Sequence, residues 1–546
     1  MQEPVKQNFL KGAAILAAAS IFAKIVGAIY KIPLFNILDD AARGSFQVTY
    51  NVYTLILTIS TAGIPAALSR LVSTAAAGGK MRLVKRYFSV ALPAFLVIGV
   101  IAMLAMLVFA DAFAGLMNDS LAAPGIRVLA PAVLFVCVIS VYRGYSQGFE
   151  NMIPTAMSQI VEVVCKAAVG IAAAVWLTNM QYASHYVSAG AILGVTVGLG
   201  LTVPLLIWYK KRLDRQHDFT DDTDALPGSG GVLGKIMKVS IPITLSASFM
   251  SIMTVIDNSI VLGRLRTSFM LTQSLSAAAA EAAARTQYGI FTLGLTIYNL
   301  PPAIVVPVSV SIIPAIAAAL ARKQEGEAGG IMKSSIKLVN LIAMPAAAGI
   351  MVLATPILIA LYNDSRQITS TVLLIQGAAS FFVCLQYITT AILQANGYER
   401  AALINFPIGA AIKIALGYFL VVIPDIGVIG SSIGTLACFI VISALNIAII
   451  LIKVKERPKI SGVFFRPLLC TAAMAVVAYL VYELAHRVGS GLIGTGRLSV
   501  VVFLGAAILI AVAVYAVLIV VTRTITKEDM LLVPKGEKLA RILKIR

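Results

Sequence analysis

Residues 153–178 read IPTAMSQIVEVVCKAAVGIAAAVWLT, a run that is long and apolar enough to cross a lipid bilayer as one helix. Two charged residues, Glu162 and Lys166, interrupt this run one helical turn apart. A charge at the centre of a spanning helix costs roughly 2.5–3.5 kcal/mol on insertion scales, so it usually faces a water-filled interior. The run therefore predicts a spanning helix in a membrane protein that has a polar interior.

The composition of the whole chain agrees with this interpretation. Of its 546 residues, 59% are hydrophobic and 12% are charged, whereas a soluble chain carries about 25% charged residues. Because long apolar runs recur from end to end, we predict an all-α polytopic membrane protein with fourteen transmembrane helices. The five cysteines lie inside apolar runs and follow no disulfide or metal-binding pattern.

A polar linker and a weak internal repeat predict the domains. The matching residues are Gln147 with Gln394, Lys166 with Lys413, and Gly170 with Gly417, all at one offset. We therefore expect two six-helix lobes that are parallel repeats, plus two extra C-terminal helices. The predicted segments are an N-terminal lobe at 1–209 (spans 1–6), a cytoplasmic linker at 210–233, a C-terminal lobe at 234–452 (spans 7–12), two further spans at 453–522 and a basic cytoplasmic tail at 523–546.

The net charge of +19 would suggest a nucleic-acid partner in a soluble protein. Here the lysines and arginines fall mainly in alternate loops, with 30 on one side, Arg143 among them, and eight on the other. This asymmetry follows the positive-inside rule and places both termini in the cytoplasm. We therefore predict a multi-pass protein of the cytoplasmic membrane that has no nucleic-acid partner.

Four intramembrane lysines are the candidate substrate ligands. Lys24 lies midway along the first span, and Lys31 lies two turns nearer the outside, where it could also reach the interface. Lys166 either binds substrate or forms a buried ion pair with Glu162, its i−4 neighbour. Lys413 has glycine at the equivalent place, so we expect it to be the better ligand.

Asp257 is the one acid deep in the predicted C-terminal lobe. With Asn258 and Thr254 it offers oxygen atoms to Na+, but it could equally carry a proton or balance a lysine, and these alternatives stay open. The alanine-rich run that ends at Glu281 and Arg285 predicts a short external helix over the cavity mouth. The chain contains no Walker A motif, so we expect no ATP-driven step, no enzyme activity and no cofactor.

Two segments carry a family resemblance. Residues 46–55 (FQVTYNVYTL) with 63–69 (GIPAALS), and residues 147–159 (QGFENMIPTAMSQ), resemble the signatures of exporters for polysaccharide and lipid-linked precursors. The chain is identified as a member of the multidrug/oligosaccharidyl-lipid/polysaccharide (MOP) exporter superfamily. It is most similar to the Gram-positive MurJ-like and stage V sporulation protein B-like branch.

The resemblance implies a function and some of its residues. Members of this branch translocate lipid II, the undecaprenyl-pyrophosphate-linked peptidoglycan precursor, by alternating access. Lys24 in the segment 23–27 (AKIVG) takes the place of a functional arginine, and Asp257 matches an aspartate of the seventh span. The chain lacks the family's eighth-span arginine; Arg264, Arg266 and Lys413 are the candidates to replace it.

Several functions remain open from the sequence. The alternatives to lipid II transport are a flippase for another polyprenyl-linked oligosaccharide, a cation-coupled multidrug exporter, and a non-transporting scaffold of cell-wall synthesis. Coupling to Na+, H+ or the membrane potential is equally open. The expected partners are the lipid substrate, membrane lipids and cell-wall synthases, in a Gram-positive bacterium.

Overall fold

The computed structural model describes residues 18–20, 22–23, 25–61, 63–217, 219, 226–454, 461–494, 496–522 and 524. These residues form helices and short connections, and no β-strand occurs among them. The helices are α1 Ala18–Ile37, α2 Asp40–Thr61, α3 Ile64–Ala77, α4 Met81–Val108, α5 Ala110–Leu116, α6 Ala123–Gly148, α7 Ile153–Asn179, α8 Ser184–Asp214, α9 Ser229–Thr272, α10 Ala277–Tyr298, α11 Leu300–Ala321, α12 Glu325–Val352, α13 Ala354–Tyr362, α14 Gln367–Ala395, α15 Glu399–Leu420, α16 Ile429–Lys453, α17 Ser461–Ile493 and α18 Arg497–Val521. The predicted all-α polytopic fold is thereby confirmed.

The number of spans differs slightly from the fourteen predicted. Within the described residues, twelve helices are long and apolar enough to cross a membrane. The count reaches thirteen if α10 and the start of α11, which meet at a 44° bend, form one broken span. Pro301 and Pro302 follow this bend, as expected where proline removes backbone donors from a helix. The predicted C-terminal lobe begins at 234, and its first part falls inside α9, a single helix of 44 residues.

The chain divides into two compact units, Met1–Gly289 and Ile290–Arg546. In the first unit, α9 packs along α2 and α3. Two polar contacts join these helices: the Ser251 hydroxyl donates to Thr58 Oγ1 at 3.1 Å, and the Gly63 amide donates to Thr244 Oγ1 at 3.1 Å. By packing, α9 thus belongs with the helices that precede it. The lobe boundaries drawn from the internal repeat stay a prediction.

In the second unit, α11, α12, α14 and α16 enclose an apolar core that includes Val305, Ile336, Ile388 and Ile450. Helices α17 and α18 pack against each other and against α12 and α13, and α17 adds Val463 to this core. Their outward faces expose large apolar side chains, as expected of helices that contact lipid. This arrangement agrees with two helices added to the outside of a six-helix lobe.

Candidate functional site

Two of the predicted lysines meet at one aromatic ring in the first unit. Lys31 Nζ lies 5.8 Å from the ring centroid of Tyr50, and Lys166 Nζ lies 4.9 Å from it. Lys166 also lies over Tyr30 at 5.0 Å, and Lys31 over Phe35 at 5.9 Å. An aromatic face attracts a cation at such distances by about 0.5–2 kcal/mol. We call Lys31, Tyr50 and Lys166 the lysine–tyrosine cluster.

Three helices position this cluster. Lys31 comes from the end of α1, Tyr50 from α2 and Lys166 from the middle of α7. On α2, Phe46 and Tyr50 stack with their ring centroids 6.3 Å apart and their planes 4° apart, because residues four positions apart share one helix face. This stacking supports the Tyr50 ring from one side. All three side chains of the cluster are half-buried.

Glu162 does not pair with Lys166 in the way that the sequence alternative supposed. Its carboxylate accepts a hydrogen bond from Arg143 Nη2 at 3.2 Å, and Arg143 Nε donates to Ser158 at 2.8 Å. Arg143 lies in α6, five residues before this helix ends at Gly148, and its side chain reaches α7. Because the acid is engaged by Arg143, the charge of Lys166 remains available to the cluster.

Lys166 in the first unit and Lys413 in the second each pack against a glycine of the next helix. A Cβ atom added to Gly194 on α8 would lie 2.4 Å from the Lys166 carbonyl oxygen and 2.5 Å from the Gly170 nitrogen. A Cβ atom added to Gly434 on α16 would lie 3.0 Å from the Lys413 carbonyl oxygen. In both units, a glycine of the next helix thus packs closely against the backbone of the lysine. This local likeness supports the internal repeat.

Lys413 is half-buried on α15, and a polar network lies further toward the start of the same helix. Asn405, two turns earlier, donates to Asn446 Oδ1 at 2.9 Å. Asn446 in turn donates to Thr389 and Thr390, each at 3.1 Å. These bonds join α15, α16 and α14 through buried polar groups, which is the usual way to satisfy such groups inside a membrane.

Lys24 lies outside the described residues, so its predicted role as a substrate ligand remains untested. Lys413 belongs to the second unit, whereas Lys31 and Lys166 belong to the first. A joint action of Lys24 and Lys413 on one substrate therefore stays a prediction.

The group around Asp257 lies on α9. The Asp257 side chain is buried, and Arg264 lies two turns further along the helix, where it is half-buried. Asn258 Oδ1 already accepts a hydrogen bond from the Tyr288 hydroxyl at 2.7 Å, and Thr254 is exposed. Of the three side chains proposed for Na+, Asp257 is thus the one whose oxygen atoms best suit a cation or a proton. Coupling through this residue stays a prediction.

A second charged group, which the sequence did not reveal, lies at the end of the first unit that is predicted to face outside. Arg285 Nε lies 2.5 Å from Asp119 Oδ1, and Ser45 donates to Asp119 Oδ2 at 2.9 Å. Glu281 accepts hydrogen bonds from Arg285 at 3.1 Å and from both the amide and the hydroxyl of Ser120, at 2.7 and 2.6 Å. We call Asp119, Arg285, Glu281, Ser45 and Ser120 the ionic cluster.

The helix that carries Glu281 and Arg285 is longer than the short external helix predicted from the sequence. The alanine-rich run forms the first turns of α10, which continues to Tyr298. The spacing of Glu281 and Arg285 was visible in the sequence, but the partner, Asp119, lies 166 residues away in the connection between α5 and α6. Only tertiary packing brings them together.

The chain matches one protein family and several known proteins. The profile of the family described as polysaccharide biosynthesis protein matches residues 9–320. Stage V sporulation protein B of Bacillus subtilis is 26% identical, over 97% of this chain and 98% of the relative. Lipid II flippase MurJ of the same organism is 24% identical, over 79% and 81%. The solved structure of lipid II flippase MurJ in the inward closed conformation covers 93% of this chain and 98% of its own, with a TM-score of 0.68 and 14% identity, and has the same fold.

Proposed function

Because this chain belongs to the polysaccharide biosynthesis protein family, we propose that it is a flippase that moves lipid II across the cytoplasmic membrane by alternating access. Lipid II is an undecaprenyl-pyrophosphate-linked peptidoglycan precursor, and the relatives named as sporulation protein and flippase come from a Gram-positive bacterium. The proposed role is transport without chemical conversion of the substrate. It needs a binding site for an anionic headgroup inside the membrane.

The lysine–tyrosine cluster is the observation that carries the proposal. Two ammonium groups contact one ring in the interior of a membrane protein, where unpaired charges are costly. A pyrophosphate brings the negative charge that balances two lysines, and charge-assisted contacts of this kind are among the strongest hydrogen bonds. Such a cluster would repel a cationic drug, which disfavours a multidrug exporter.

The membrane potential supplies a driving force for this substrate. An inside-negative potential favours outward movement of an anion by about 2.3 kcal/mol per charge per 100 mV. Asp257 is the group we propose for additional coupling to Na+ or H+, since its side chain is buried on α9. Transport in vesicles with an imposed potential, with and without a Na+ gradient, separates these sources of energy.

A flippase for another polyprenyl-linked oligosaccharide is the second candidate. It is favoured by the similarity to stage V sporulation protein B, which spans nearly the full length of both chains. The cluster offers two cations, which suit the diphosphate that lipids of this type have in common and do not select for a sugar or a peptide. Competition between lipid II and a pyrophosphate-linked sugar without the peptide distinguishes the two candidates.

The test is an assay of lipid II exposed on the outer leaflet of cells depleted of their own flippase. The intact chain should restore exposure, and Lys166→Gln should abolish it. Lys333→Gln, which removes an exposed lysine on α12, is the matched control and should transport normally. If the intact chain accumulates in the membrane but no lipid II reaches the outer leaflet, the proposed substrate is wrong. If the chain supports cell-wall growth equally well with both cluster lysines neutralised, a scaffold role replaces the proposal.

A further inference from the structure

We infer that Tyr50 is a positioning residue that makes the site prefer a diphosphate to a monophosphate, an inference that rests on the proposed function. The ring of Tyr50 is shared by two cations that come from different helices, Lys31 from α1 and Lys166 from α7. Neither helix alone fixes how far apart the two ammonium groups lie. The shared ring does.

The orientation of the ring is itself fixed by its neighbours on α2. Phe46 stacks in parallel with Tyr50, and Tyr53 lies at 5.9 Å on the other side along the helix. This aromatic row leaves the Tyr50 ring in contact with both lysines. Each cation gains from the negative face of the ring, which offsets part of the repulsion between two like charges.

A pair of neighbouring cations selects for a ligand that carries two neighbouring anionic groups. The two phosphates of a diphosphate share one bridging oxygen, so they can engage both ammonium groups at once. A monophosphate carries its negative charge on the oxygen atoms of a single phosphate group. One of the two lysines is then poorly compensated. Because an uncompensated charge is costly inside a membrane, the difference appears in affinity.

The second contact of each lysine limits its freedom further. Lys166 also lies over Tyr30, and Lys31 also lies over Phe35. Without Tyr50, each ammonium group would keep this second aromatic partner but lose the one that they share. Removal of the Tyr50 ring should therefore let the two ammonium groups move apart, while each stays close to its second aromatic partner. Affinity for a diphosphate should then fall more than affinity for a monophosphate.

The experiment measures binding of undecaprenyl diphosphate and undecaprenyl monophosphate to the purified full chain in lipid nanodiscs. Tyr50→Leu removes the ring, Tyr50→Met is a second ringless variant in case the first does not fold, and Tyr50→Phe keeps the ring. Tyr479→Leu is the control, since it removes an exposed tyrosine ring on α17, in the second unit.

We expect the ringless variants to bind the diphosphate about tenfold more weakly and the monophosphate within about twofold of the intact chain. Tyr50→Phe should keep the preference, because it retains the ring that both lysines contact. Equal losses for both ligands, or an unchanged preference in a folded ringless variant, would overturn the role of Tyr50 and leave the proposed function standing. Failure of the intact chain to bind the diphosphate would overturn both.

Discussion

The guanidinium of Arg285 and the carboxylate of Asp119 form a buried ion pair, with Nε and Oδ1 2.5 Å apart and side-chain exposures of 7% and 0%. Burial raises the pKa of the Asp119 carboxyl, although Arg285 opposes this shift. Glycine allows the approach, since a Cβ atom on Gly44 would lie 2.4 Å from the Arg285 carbonyl oxygen. The pair thus ties α10, which continues into the second unit, to the connection between α5 and α6.

In the proposed alternating-access cycle, we predict that this ion pair opens when substrate leaves toward the outside, so a cross-link across it should stop transport. Ser120 and Glu281 are suitable positions because Ser120 is exposed and its hydroxyl lies 2.6 Å from Glu281 Oε1. In a chain without its five native cysteines, we expect Ser120→Cys with Glu281→Cys to lose most flipping after a short thiol-cleavable cross-linker is added. A reducing agent should restore it. The measurement is outer-leaflet lipid II before and after reduction.

The control for this cross-link is a second pair of positions, in the helices on either side of the same connection. Asp111 and Arg127 form an exposed ion pair at 2.6 Å, between α5 and α6. Cross-linking cysteines at these two positions should leave flipping unchanged, because both helices belong to one packed group. Full transport by the cross-linked Ser120–Glu281 variant would show that the ionic cluster does not need to open.

The sequence predicts which lysines are candidate ligands but does not predict the side chains that lie around them. Lys166 and Lys413 stood out because a charge inside an apolar run is rare, and their spacing indicated a repeat. The partner of Glu162 could not be found in the same way. A helical neighbour such as Lys166 can be read from the sequence, whereas Arg143 is brought to Glu162 by the packing of α6 on α7.

The sequence does not predict the role of an aromatic residue such as Tyr50. Tyr50 belongs to a segment that resembles the family signature, and nothing in that pattern distinguishes a ring that packs in the core from one that holds cations. Asp119 lies in a short connection among other polar residues, and its burial depends on α10. Roles of this kind arise from side chains far apart in the chain, which a periodic pattern does not report.

Lys24 and Lys413 are predicted to bind the pyrophosphate together during the transport cycle. Neutralising either one, as Lys24→Ala or Lys413→Ala, should abolish flipping at normal protein abundance, since removing an intramembrane charge does not hinder insertion. Lys24→Arg should remain active because the resembling family has arginine there. Complementation combined with the outer-leaflet assay measures this. Parental rates in both alanine variants would refute a cationic binding site formed by these residues.

Asp364, in the connection between α13 and α14, should make the stability of the fold depend on pH in the acid range. Burial alone would raise the pKa of its carboxyl, but hydrogen bonds from Arg366 and Thr369 outweigh this and hold the pKa below its usual range. The carboxylate therefore stabilises the fold above its ordinary pKa of 3.8, and this contribution disappears as the pH falls through the lowered value. We expect Asp364→Asn to cost about 1–3 kcal/mol near neutral pH.

Thermal unfolding of the purified chain at several pH values tests this expectation. The melting temperature of Asp364→Asn should lie below that of the intact chain at pH 7, and the two should converge in strong acid. Asp425→Asn is a suitable control because this aspartate is exposed in the connection between α15 and α16. A difference that stays constant down to the most acid pH would exclude the charge of Asp364 as its cause.

The glycines beside the two equivalent lysines should differ in their tolerance of a methyl group. At Gly194 the added Cβ atom would meet backbone atoms of Lys166 and Gly170 at 2.4 and 2.5 Å, and a backbone cannot move aside as a flexible side chain can. At Gly434 the closest approach is 3.0 Å, to the Lys413 carbonyl oxygen. We therefore expect Gly194→Ala to force α7 and α8 apart and cost about 1–3 kcal/mol, as overpacking usually does.

Gly434→Ala should be milder, and Gly505→Ala on α18 should be harmless because a Cβ atom there meets nothing within 4 Å. Measuring the melting temperature and the flipping activity of the three variants in parallel tests this order of severity. Since α7 carries Lys166, Gly194→Ala should also weaken diphosphate binding in molecules that remain folded. A purely structural defect would lower the stability but leave the affinity of the folded molecules unchanged. Equal stability of the Gly194 and Gly505 variants would contradict the close approach of α7 and α8 on which the position of Lys166 depends.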